Sequence, residues 1–165
     1  MSAFLFGKLP AFGDFVARGL SVPMRSWWDS WCSVAVLDAR DKFGDGFHAH
    51  YQATPPRRFL IAPPIAGGSW QAGCIIPSTD RAGRIFPFVL GVSSSEPIDA
   101  AEAVGIGERL AACVARAFEQ SIDLDALIIA AEAAAGDTSH PARPVHPITV
   151  RETGCIGENP HSVEV

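Results

Sequence analysis

Charged side chains near loop positions carry whatever chemistry this sequence holds: the carboxylates of Asp14, Asp29 and Asp80, and the guanidinium groups of Arg18, Arg81 and Arg84. Three carboxylates brought to one end of a sheet could do acid–base work, provided they share a substrate cleft. The simpler use is mutual neutralisation, with the three aspartates as counter-ions for the three arginines. Arg81 and Arg84 follow Asp80 closely, and an arginine can hold a carboxylate through two parallel hydrogen bonds. The residues around Asp80 therefore read as an ion-pair loop that braces the fold, with a recognition surface as the other use of the same side chains.

Other constellations fall short of a reaction. No serine lies in a G-x-S-x-G turn and no H-E-x-x-H appears, so no nucleophile or metal comes with its base. The Gly7-Lys8 pair invites comparison with a phosphate-binding loop. The earlier glycine of that motif is missing, however, and Leu9 stands where a metal-binding hydroxyl is needed. His48 and His50 would share one side of an extended segment, but zinc asks for three or four ligands. Cys32, Cys74, Cys113 and Cys155 are widely spaced with no C-x-x-C pair, which points to buried free thiols. No cofactor and no metal is expected.

Composition sets the frame. The chain has 165 residues, 48% hydrophobic and 19% charged, enough for one globular domain with a sizeable core. A net charge of −5 without a basic patch beyond Arg57-Arg58 argues against a nucleic-acid partner. The first residues lack the charged start and long apolar run of a signal peptide. No apolar stretch reaches membrane-spanning length. A cytoplasmic protein that does not span a membrane is the expectation.

The elements that must position the charges follow from periodicity. Residues 3–6 form a short strand that stops at Gly7, and Gly13 is read as a positive-φ turn, with Phe12 and Phe15 anchoring the loop in the core. Ser21 caps a helix that tolerates Pro23 in its first turn. Its apolar stripe is Met24, Trp27, Trp28, Trp31, Val34 and Ala35. The three tryptophans either pack on a sheet or leave one ring to anchor a protein partner. Residues 58–62, 69–76 and 85–92 read as strands joined by links too short for helical crossovers, hence an antiparallel meander, with Pro87 marking an edge or a bulge. Residues 98–120 read as a helix interrupted by Gly105 and Gly107, and 124–135 as a second helix. Residues 1–136 thus make one α/β domain and 137–165 a proline-rich C-terminal tail, mobile apart from one short strand near 147–151.

Four ordered blocks resemble a known family. Gly7-Lys8-Leu9-Pro10 with Gly13-Asp14-Phe15 and Arg18, then Trp28-Asp29-Ser30-Trp31, then Arg58-Phe59 with Gly67-Gly68, and finally the residues from Pro77 to Arg84 with Phe86-Pro87 are similar to the signature of the TagF (ImpM) proteins, accessory components of bacterial type VI secretion systems. The blocks span residues 7–92; Thr79 and Ala82 stand where the family often has valine. The resemblance implies an α/β fold, a three-layer sandwich with a mixed, mainly antiparallel sheet flanked by helices. It also implies a cytoplasmic protein without enzymatic activity that regulates type VI secretion after translation. Members restrain assembly or firing by engaging the forkhead-associated scaffold protein, apart from the threonine kinase and phosphatase route. The matching positions, with a binding or a structural role, are Asp14, Arg18, Trp28, Asp29, Trp31, Asp80, Arg81 and Arg84. The alternative is a small enzyme or ligand-binding domain with a charged cleft at Asp14, Asp80 and Arg84.

Overall fold

The computed structural model describes residues 1–63, 65, 68–120, 123–137 and 148–149. In chain order these form β1 (Ser2–Gly7), β2 (Val16–Arg18), α1 (Val22–Phe43), a 3-10 turn (Gly44–Gly46), α2 (Phe47–Ala53), β3 (Arg57–Ile61), β4 (Trp70–Ile76), β5 (Phe88–Ser94), α3 (Ala100–Gln120), α4 (Leu124–Gly136) and β6 (Ile148–Thr149). The strands make one sheet in the order β2-β1-β5-β4-β3-β6. All pairs are antiparallel except β3 with β6, so the sheet is mixed and mainly antiparallel, as expected.

Side-chain alternation gives the sheet two apolar faces. Ala3, Leu5, Cys74, Phe88 and Leu90 join the core beneath α3 and α4. Phe4, Phe6, Phe59, Ile61 and Val89 join the core beneath α1. A strand buried on both faces reads as a continuous apolar run, which is what Ala3–Phe6 and the start of β5 show. The result is the anticipated three layers: one helix, the sheet, two helices. Large side chains on these faces each contribute about 1.5–3 kcal/mol through burial.

Caps and cross-links fix the helices on the sheet. Ser21 accepts from the Met24 backbone N–H at 3.4 Å and Pro23 sits in the first turn of α1. On α3 the buried positions Ala103, Ile106, Leu110, Val114 and Ala117 recur every three or four residues, the stripe of a helix lying on a core. Arg109 donates from Nε to the Ala134 carbonyl at 2.7 Å, tying α3 to the last turn of α4. Glu132 of α4 accepts from the Ala3 backbone N–H at 3.1 Å, covering part of β1 that the short β2 leaves unpaired.

Several expectations change. His48 and His50 lie in α2, not in an extended segment; two residues apart on a helix they diverge, and His50 instead stacks on Phe43 at 3.7 Å. Among the described residues no group of three or more His, Cys, Asp or Glu could hold a metal. Pro87 precedes a central strand rather than marking an edge or bulge; it stands just before the ladder, where no N–H is needed, and its carbonyl accepts from the Lys8 N–H at 3.4 Å. Helix α3 runs without interruption through Gly107. A Cβ there would come within 2.8 Å of Arg58 Cγ and of the Gly73 carbonyl oxygen, so the glycine serves close approach of helix to sheet and does not break the helix. Phe15 is 38% exposed rather than a core anchor. Strand β6 falls within the anticipated 147–151 segment, while Cys155, His140, His146 and the rest of the tail lie outside the described residues. No helix among the described residues is long and apolar enough to cross a membrane.

Candidate functional site

The chain from Asp80 to Gly83 forms a tight turn because each residue type suits its place. Asp80 accepts from the Gly83 N–H at 2.9 Å through its carbonyl, with aspartate opening the turn and glycine closing it. Gly83 carries the positive φ, 76°; Gly13, read from sequence as that kind of residue, does not. Outside the turn, Thr79 bridges Ile85 and Phe86 donates to the Ser78 carbonyl, so residues 78–86 close as a small hairpin.

The Asp80 carboxylate points inward, 2% exposed as a residue, and four donors fill it. Its Oδ1 accepts from the backbone N–H groups of Ala82 and Arg84, both at 2.9 Å. Its Oδ2 accepts from Arg84 Nε at 2.6 Å and from Lys8 Nζ at 3.1 Å. A buried carboxylate is tolerated only when paired and hydrogen-bonded in this way. Burial alone would raise the carboxyl; the Arg84 backbone N–H, the Lys8 and Arg84 side chains and the Lys8 charge outweigh it and hold it well below the ordinary carboxylate range.

That depression fixes a pH dependence. The unfolded chain takes up the proton near the ordinary value of 3.8, the folded chain only at lower pH, so the pairing stabilises above that value and is lost as pH falls. Asp80→Asn is therefore expected to lower the urea midpoint strongly at neutral pH, and the gap to wild type should narrow between about pH 5 and about pH 2. A gap that stays constant over that range would remove Asp80 as the acid-labile brace.

The hairpin is also stapled to the loop after β1. Arg81 donates from its backbone to the Phe12 carbonyl at 2.9 Å and from Nη2 to the Ala11 carbonyl at 2.7 Å. Arg84 Nη2 donates to the Gly13 carbonyl at 2.8 Å. From the other side Tyr51 of α2 donates its hydroxyl to the Ser78 carbonyl at 3.2 Å and accepts from the Ser78 N–H at 3.0 Å. Burial pushes the Tyr51 phenol up to about 12, with the Ser78 backbone working the other way, so it stays a donor. Two segments distant in sequence, the loop after β1 and α2, thus meet on one turn.

The remaining signature residues take other environments. Asp14 is exposed and accepts from the Phe15 N–H at 2.7 Å. Arg18 donates to the Ala17 carbonyl and approaches Asp125 at 3.5 Å, with both side chains more than half exposed, a pair of little energetic weight. Of the three expected counter-ion pairs only Asp80 with Arg84 forms. Trp28 is fully buried, edge-on to Phe59 at 5.0 Å, and Trp31 is half-buried beside it. Asp29 is exposed on α1 and, with Phe6, Phe15, Val22, Arg25 and Ser26, lines an open groove of about 390 Å³. A second groove of about 290 Å³ lies between residues 9–12 and the helices, lined also by Ala117, Phe118 and Leu127.

Sequence reasoning missed Lys8, Tyr51 and Ser78. Lys8 had a signal: it lies in the Gly7-Lys8-Leu9-Pro10 block, and a lysine directly after a buried strand needs a carboxylate partner. Tyr51 carried none, because its role depends on a helix that the local composition does not announce.

The family model described as the TagF N-terminal domain, type VI secretion system-associated, matches residues 5–136. The crystal structure of PA0076 from Pseudomonas aeruginosa PAO1 is similar, with a TM-score of 0.67 and 29% identity over 89% of this chain and 66% of that one. The chain thus spans a little under two thirds of that protein's length. No curated protein matches the sequence. With both loops, strands β2 to β5 and the three long helices inside the matched span, the chain belongs to the TagF N-terminal domain family, associated with the type VI secretion system.

Proposed function

We propose that this domain is a non-enzymatic cytoplasmic module that restrains assembly or firing of the type VI secretion system by binding its forkhead-associated scaffold protein. The observation that carries the reading is the closure of the charged signature on itself. Asp80 is buried with both oxygens engaged by Lys8, Arg84 and backbone N–H groups. General acid–base work asks for a carboxylate that can reach a substrate, so the charged-cleft reading at Asp14, Asp80 and Arg84 has its central group turned inward. What the domain offers outward is apolar: an open groove beside Phe118, a ring about two fifths exposed. Exposed aromatic rings beside a groove are the usual anchors of protein recognition.

A pull-down with the purified full chain, from lysate of a host with an active type VI system, tests this. The wild type is expected to retain the forkhead-associated scaffold. Asp80→Ala, whose hairpin is released from Ala11 and Phe12 in the wall of that groove, is expected to retain about tenfold less at a temperature where circular dichroism still reports it folded. Retention of no scaffold by the wild type would remove the partner, and equal retention by Asp80→Ala would separate the brace from the binding surface.

A further inference from the structure

We infer that the groove beside Phe15 is a two-fold interface at which a second copy of this chain docks, with Arg25 of each copy facing Asp29 of the other. Three observations meet there, and none depends on the type VI reading. The first is the pair itself. Arg25 and Asp29 are four residues apart on α1, a spacing at which opposite charges commonly pair on a helix. Neither side chain makes an ion pair or hydrogen bond with any described residue.

The second observation is apolar surface between charges. Phe15 is 38% and Val22 79% exposed, and both line the groove with Arg25 and Asp29. Phe15 is also held rigidly. It stacks on Phe6 at 6.0 Å, meets Phe86 edge-on at 4.7 Å, and has Lys8 Nζ 5.0 Å from its ring centre. An exposed ring fixed on three sides loses little side-chain freedom on docking, which favours binding.

The third is the sign of the charges. One cation and one anion on a single helix face present no net charge to attract a foreign partner. Under a two-fold axis across α1 the same patch is its own complement, because position 25 of one copy meets position 29 of the other and the reverse. The N-terminal end of α1 supplies a further reason. Its first turn has no acidic residue, so the partial positive charge of the helix end is uncompensated. An aspartate from a second copy, placed beside Arg25, answers both.

Charge reversal tests the arrangement by sedimentation velocity over a dilution series. Wild type is expected to show a concentration-dependent dimer. Arg25→Glu and Asp29→Arg each place two like-charge contacts in the symmetric dimer and should each weaken it by about tenfold or more. Mixed in equal amounts, the two variants should regain a heterodimer, since every 25-to-29 contact is then opposite in sign. Both positions are exposed, so circular dichroism should report each variant folded, which separates a lost dimer from a lost fold. A wild type that remains monomeric up to about 0.5 mM, reversals that leave the dimer unchanged, or a mixture that fails to regain it would each overturn the interface.

Discussion

Trp28→Ala is expected to lower the unfolding free energy by about 3–5 kcal/mol, the range for emptying a large aromatic site in a packed core. Trp28 is fully buried beneath the sheet. Its ring lies 5.0 Å from Phe59, 6.2 Å from Phe4, 5.0 Å from Trp27 and 5.9 Å from Trp31. It therefore joins β1, β3 and its own helix, and no neighbour is free to collapse into the gap. Such a loss is a large part of the total stability of a small domain. The indole N–H has no partner among the described residues, so Trp28→Phe removes volume but none of their hydrogen bonds and should cost less, about 1–2 kcal/mol. Urea titration followed by circular dichroism measures both; an alanine variant as stable as wild type would mean that α1 is not held to the sheet by this ring.

Gly73→Ala is expected to be as damaging from the opposite direction, by adding an atom. A Cβ at Gly73 would lie 2.2 Å from the Leu90 carbonyl oxygen, 2.6 Å from Gly91 Cα and 2.9 Å from Phe59 Cζ. Two of those three atoms are backbone of the neighbouring strand, which cannot rotate away. Relief requires β4 and β5 to separate at the Gly73–Gly91 register position, in the middle of the sheet. Overpacking of this kind costs about 1–3 kcal/mol where side chains can adjust and more where they cannot, so folded yield and Tm should both fall sharply. Gly13→Ala is the control. Nothing lies within 4 Å of its Cβ position and its φ is not positive, so Tm should stay within the range of ordinary surface changes, about 0.5 kcal/mol either way. Equal effects at the two glycines would mean that the central strands are less tightly apposed than described.

The contrast between those glycines shows what the sequence could convey. Local rules worked where one residue's neighbours in the chain decide its state. Ser21 and Pro23 mark the start of α1 because a cap and a fixed φ act within one turn. The strands of the meander were legible from apolar runs and short links, while the three layers were implied by the family resemblance. The rules failed where a distant segment decides. Gly107 looks like a helix breaker until β4 is known to lie against it. Helix α2 was hidden because Gly44-Asp45-Gly46 reads as a stop, and seven residues of mixed character show no period. The Asp80 turn itself was readable from Asp80 and Gly83, but its burial comes from Lys8, which only the pairing of β1 with β5 brings near. Arg81 looked like a partner for a carboxylate and binds carbonyls of the loop after β1 instead, a choice made by packing.

The place of β1 in the sheet bears on how the chain is made. β1 is synthesised well before its principal partner β5, which lies in the interior of the sheet. At ordinary elongation rates the ribosome needs on the order of ten seconds to pass from one to the other. Through that interval an uncharged strand bearing Phe4, Leu5 and Phe6 has no ladder to join except the three residues of β2. Uncharged apolar strands left open are what chaperones bind and what nucleates aggregation. The fold therefore cannot accumulate piecemeal from its N-terminus; it closes late, when β5 slots between β1 and β4 and α3 and α4 follow to cover one face.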